Sequence, residues 1–189
     1  MVMMAMIYII LIFVGLLVVF WVYLGHKSKA TIKQLEGVPE LVDKYITELY
    51  QFEIKNSDTF SAVPIQSWQS ALGVASAISI SGFIEMTSFS DPTKERLSRN
   101  AYDYIIHKYD CFPLYAELSG LIEQYRRFHI SLQHSAPELS RDLSKPLVEG
   151  WIFKNFFGRL HDAEKDEKVM YDIAIVHDAL LNAIRGFMK

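Results

Sequence analysis

From residue 3 to residue 24 the chain runs for 22 positions without a charged side chain. As an α-helix rising 1.5 Å per residue, this stretch reaches about 33 Å, enough to cross a bilayer hydrocarbon core about 30 Å thick. Twenty-three of the first 24 residues are apolar, Gly15 being the exception. Without them the apolar share falls from 51% to about 44%, the usual value for a globular domain. The sequence therefore predicts one membrane-spanning helix followed by a folded domain.

A cleaved secretory signal needs basic residues ahead of a shorter apolar core, and small residues before the cut. No basic residue precedes this run, and Tyr23-Leu24-Gly25 is a poor cleavage site, so an uncleaved, single-pass signal-anchor is expected. Tyr8 near one end and Trp21 and Tyr23 near the other are placed to sit at headgroup level. Lys27, Lys29 and Lys33 follow the run, and lysine-rich flanks stay in the cytoplasm. Residues 25–189 are accordingly expected on the cytoplasmic side, with a bacterial inner membrane as the setting. The single Cys111 agrees with a reducing compartment. The expected division is an anchor over 1–25, a basic juxtamembrane linker over 26–38, and a cytosolic helical domain over 39–189.

Hydrophobic spacing in the remainder is helical throughout, predicting an all-α bundle of five to six helices. After Pro39, residues Leu41, Val42, Tyr45, Ile46, Leu49 and Phe52 form the first stripe, and the Asn- and Ser-containing stretch 56–64 reads as a loop. Residues 65–89 admit three readings. Trp68, Leu72 and Ala75 suit a close-packed core helix, Ser76 to Ile84 alternates like a strand, and the many small residues would suit a second membrane segment. Glu85 and the serines favour the core helix. Asp91-Pro92 marks a helix start with Asp91 as cap, running to about Tyr109. Leu114, Leu118, Leu121, Tyr125, Phe128 and Leu132 make the most regular stripe, followed by a proline-marked connector over 136–146. Trp151, Ile152, Phe156 and Leu160 lie on the next helix, and a last one is expected over about 163–187, with Val169, Ile173, Val176 and Leu180 inward.

Candidate chemistry is sparse. His161-Asp162 and His177-Asp178 each set an imidazole beside a carboxylate, two side-chain types that can ligate one metal ion from neighbouring positions. These dipeptides resemble those of metal-binding phosphohydrolases, and the resemblance implies a metal-dependent hydrolase with His161, Asp162, His177 and Asp178 as ligands. It covers two residues at a time, and the spacing of His107, His129 and His134 supplies no further ligand set. No Glu-x-x-His, phosphate loop, dinucleotide turn or nucleophile elbow occurs, so no cofactor is expected. Cys111 is followed by Phe112, Pro113 and Leu114, the setting of an inert thiol. Tyr125-Arg126-Arg127-Phe128 has the look of a nucleic-acid patch, yet the 22 acidic and 19 basic residues all lie beyond Gly25. A net charge of −3 is repelled by phosphates, so nucleic acid is not an expected partner.

Trp151, Phe153, Phe156 and Phe157, beside Lys154 and Arg159, are the expected partner or membrane contacts. Phe153 lies about 200° around a helix from Trp151, so one narrow core stripe does not hold all four rings. The pattern points to an anchored accessory or assembly subunit of a larger membrane complex, whose partners are the lipid bilayer and other proteins of that complex. The alternatives are the anchored metal-dependent hydrolase and a sensory or signalling module. No small-molecule substrate is indicated.

Overall fold

A computed structural model describes residues 29–135 and 144–189. The expected anchor, with Tyr8, Trp21, Tyr23 and Lys27, lies outside the described residues, as does the connector over 136–143. The chain divides into two compact units, Met1–Gly37 and Val38–Lys189. Of the first, residues 29–37 are described, of which 29–36 are helical, with Lys29 exposed.

The second unit is all-α among its described residues. Its helices are α1 (Val38–Asn56), α2 (Ile65–Glu85), α3 (Asp91–Tyr109), α4 (Phe112–Ser135), α5 (Ser144–Phe157) and α6 (Glu167–Phe187). A 3₁₀ turn, Asp58–Phe60, follows α1 and is capped by the Ser57 hydroxyl, which accepts from the Thr59 amide at 3.3 Å.

α2 decides the arrangement. It carries no charge before Glu85, and a helix that is apolar on every face must be covered on every face. Residues 70 to 77 are all buried, and α2 packs against each of the other five helices. Its serines are tolerated because they bond back to their own helix: Ser76 Oγ donates to the Gly73 carbonyl at 2.7 Å and Ser79 Oγ to that of Ala75 at 2.8 Å. The strand reading of 76–84 is thereby replaced by helix. No described helix is long and apolar enough to cross a membrane, which removes the second membrane segment as well.

Aromatic stacking ties α2 to its neighbours. Trp68 stacks on Phe156 at 5.1 Å, and Phe60 meets Trp68 edge-on at 5.3 Å and Phe156 edge-on at 6.0 Å. The indole N–H of Trp68 donates to the Ile46 carbonyl at 3.0 Å. This satisfies the one polar atom of a fully buried ring. α1 and α3 are joined by the buried Asp43 carboxylate, which accepts from Lys108, Tyr109 and, at 3.4 Å, Tyr104. The hydrogen bond to Asp43 raises the Lys108 ammonium above its ordinary value.

Several boundaries differ from expectation for local reasons. Ser90, not Asp91, occupies the cap position of α3, and Asp91 falls in the first turn, where its charge suits the helix dipole. α5 begins at Ser144, so Lys145-Pro146 belongs to a helical first turn and not to the connector. It stops at Phe157 because Gly158 takes φ +69°, a left-handed conformation that ends helices. Leu160 therefore leaves the expected stripe and is exposed. α6 starts at Glu167, later than expected, because Asp166 organises the preceding loop. Its carboxylate takes both Arg159 guanidinium nitrogens at 2.6 Å and the Asp162 amide at 2.7 Å. These bonds, the Arg159 fork foremost, hold the Asp166 carboxyl down at about 2.

Two outcomes test this packing. A Cβ on Gly73 would lie 3.1 Å from Ile105 Cγ2 and 3.3 Å from the Tyr109 ring, whereas one on Gly120 meets nothing. In urea unfolding, Gly73→Val should destabilise the domain by about 1–3 kcal/mol, while Gly120→Ala should stabilise it by about 1 kcal/mol. Equal effects would show that α2 and α3 are not in close approach. The Asp166 clamp favours the ionised carboxylate, so its stabilisation is present above the unfolded value of 3.8 and fades as pH falls toward about 2. The melting-temperature gap between the native chain and Asp166→Asn should close over that window, and a gap independent of pH would refute the clamp.

Candidate functional site

A cleft with a volume of about 620 Å³ lies between α2, α4, α5 and α6 of the second unit. α4 presents Ile122, Tyr125, Arg126 and His129 to it, an i, i+3, i+4, i+7 pattern that places all four on one helix face. Ile78, Val148 and Leu181 complete the apolar wall. Lys145 enters from the first turn of α5 and His177 from α6.

Behind this wall sits a cluster of titratable groups. His177 is 3% exposed and Glu149 is buried beside it, with His177 Nδ1 at 3.4 Å from Glu149 Oε1. Lys145 Nζ reaches Asp178 at 2.7 Å and Glu149 at 3.7 Å. Burial pulls the His177 imidazole down to about 4, with the Lys145 charge adding to the fall and Asp178 opposing it. Burial raises the Glu149 carboxyl, against the lowering effect of Lys145. The hydrogen bond to Asp178 raises Lys145. At neutral pH the cleft thus meets an uncharged imidazole and an ammonium already engaged by two carboxylates.

The expected site residues are distributed differently. Trp151, Phe153 and Phe156 are buried, and Phe157 is half-buried. α5 is covered by α2, α4 and α6 together, so rings on different faces of this helix all find core. That geometry removes exposure as a ground for partner contact at three of the four rings. Phe157 packs on Phe153 at 4.9 Å, and the Arg159 guanidinium lies 5.0 Å above the Phe153 ring.

His161 and Asp162 lie in the loop before α6, where His161 is exposed and Asp162 pairs with Lys165 at 3.3 Å. Asp178 is exposed and turned to Lys145, while its neighbour His177 is buried against Glu149. No group of three or more His, Cys, Asp or Glu side chains able to hold a metal occurs among the described residues. The two pairs therefore do not converge on an ion there. Cys111 is buried, with burial raising its thiol to about 11.

One signal of the Glu149–His177 pair stands in the sequence. His177 follows Val176 and stands one turn beyond Ile173, on the inward stripe of α6, where an imidazole needs a polar partner. Lys145 and Glu149, four apart on α5, were likewise visible as a pair. No protein family, curated protein or solved structure matches the chain.

His177 yields a pH prediction. Its folded value of about 4 lies below the unfolded 6.5, so the unfolded chain takes up this proton first. Stability from the neutral imidazole is present above pH 6.5 and is lost as pH falls toward 4, by up to about 3 kcal/mol. Glu149, raised by burial, acts in the opposite sense, protonating first in the folded state. Denaturant unfolding of His177→Gln should therefore lose less stability between pH 6.5 and 4 than the native chain. Identical pH slopes would mean that His177 is solvated.

Proposed function

We propose that the chain is a membrane-anchored helical module that works through protein contacts, as an accessory or assembly subunit of a larger membrane complex. The observation that carries this reading is the charge-free run over residues 3–24 followed by Lys27, Lys29 and Lys33, whose length and flank suit a single crossing with residues 25–189 on the cytoplasmic side. A bacterial inner membrane is the setting this topology fits. Support for a contact role comes from apolar side chains left outside the core. On α4, Phe128 is 62% and Ile130 56% exposed, in a stretch of the helix, residues 124–131, that has no buried residue. A sensory role is the second reading, favoured by the cleft. The metal-hydrolase alternative gains no support from the described residues, since neither His-Asp pair gathers further ligands.

The full chain should resist extraction by alkaline carbonate and float with membranes, while a chain beginning at Ala30 should remain in the supernatant. Met86 is 74% exposed and Cys111 is buried, so Met86→Cys in a Cys111→Ser background reports orientation. An impermeant thiol reagent should label it only after the cytoplasmic face is opened. Purified in mild detergent, the chain should retain a stoichiometric partner, and Phe128→Ser should weaken that association by about 2 kcal/mol with an unchanged melting temperature. Carbonate extraction of the full chain would defeat the anchor, and a partner-free monomer would defeat the subunit role.

A further inference from the structure

The cleft between α2, α4, α5 and α6 has a charge arrangement that is not closed on itself. Of its two permanent cations, Lys145 is engaged by Asp178 and Glu149. Arg126 makes no ion pair or hydrogen bond among the described residues, although the adjacent Arg127 is held by Glu123 at 2.9 Å. A guanidinium presents a flat fork matched to a carboxylate. Below it, Ile78, Ile122, Val148 and Leu181 supply an apolar wall. His177 adds a second and independent feature: it lines the cleft while 3% exposed. Glu149 takes its Nδ1, and Nε2 is the ring nitrogen left to meet a bound molecule.

The geometry points to a binding site for a small organic monocarboxylate with an apolar body, its carboxylate on Arg126 and its body against the isoleucine, valine and leucine wall. A volume of about 620 Å³ falls within the range of small-molecule sites, which pair mostly apolar linings with a few polar groups. A dianion is disfavoured, because Asp178 and Glu149 already answer Lys145 and only one cation is open. A cationic ligand would face Arg126 across the same opening. The site uses residues of the second unit alone, so it stands or falls separately from the anchor and subunit readings.

The test is calorimetric titration of the full chain in phosphatidylcholine nanodiscs with 4-phenylbutyrate, empty nanodiscs giving the background. The acid should bind saturably, and 4-phenylbutanamide and 4-phenylbutylamine should bind about tenfold more weakly or not at all. Arg126→Gln should weaken the acid about tenfold and Arg127→Gln should leave it unchanged. Ile122→Trp, at a half-buried position on the wall, should abolish binding with the circular-dichroism spectrum and melting temperature retained. Should Ile122→Trp fail to fold, Arg126→Gln still decides, because that exposed side chain has no structural partner. Unchanged titration in phosphatidylglycerol nanodiscs would support a soluble acid, whereas loss of binding there would overturn it in favour of a lipid headgroup. No saturable heat with the acid, equal binding of the amine, or equal effects of Arg126→Gln and Arg127→Gln would each overturn the site.

Discussion

A helix with no charged residue over its first five turns has nowhere to go but inside, and α2 imposes that condition on everything packed around it. Five helices are needed to cover it, and five are present. Gly, Ala and Ser along its buried middle keep the neighbours close, so the core gains contact by proximity where a leucine-rich helix would gain it by bulk. Gly73 illustrates the balance. A glycine within a helix costs about 1 kcal/mol relative to alanine, and here it admits Ile105 and Tyr109 of α3 to near contact. Larger groups appear at the ends of the covered region, where Trp68, Phe60 and Phe156 lock three segments together through their rings.

The same condition explains where the cleft opens. Cover is complete through Ala77 and becomes partial at Ile78 and Ser79, the two α2 residues that reach the cleft. Opposite them, α4 turns a face that alternates Ile122 with Tyr125, Arg126 and His129, which are too polar to close the gap as core. α5 and α6 bring in the Lys145–Glu149–His177–Asp178 group from the other side. The opening is therefore written into the sequence of α4 as a face that is neither fully apolar nor fully solvated.

Much of the architecture could be read in advance because it follows from spacing. The stripes of α1 and α6 have apolar residues three and four apart, the Asp91-Pro92 pair marks the start of α3, and the described residues are helical at each. What escaped was set by contacts distant in the chain. Trp151, Phe153 and Phe156 lie on different faces of α5 and suggested an exposed ring, yet a helix enclosed by three others buries them all. On α4 the reverse happened: among the described members of the tidy stripe that includes Leu114, Leu118 and Phe128, only Leu118 is fully buried, because periodicity records which residues share a face and not whether a partner covers it. The late start of α6 was equally hidden, since it depends on Arg159 reaching Asp166 across a loop. The cleft group was missed because His177 reads as one polar residue on an apolar stripe until Glu149, 28 positions earlier, is seen beside it.

The Asp43 cluster also has a mechanical meaning. The chain enters the second unit at Val38, so any tension in the segment ahead of it is delivered to the first turns of α1. Within two turns of that entry, Asp43 fastens the helix to Lys108 and Tyr109, residues that lie 65 and 66 positions farther along the chain. A pull at Val38 is therefore shared with α3 before it can peel α1 from the core.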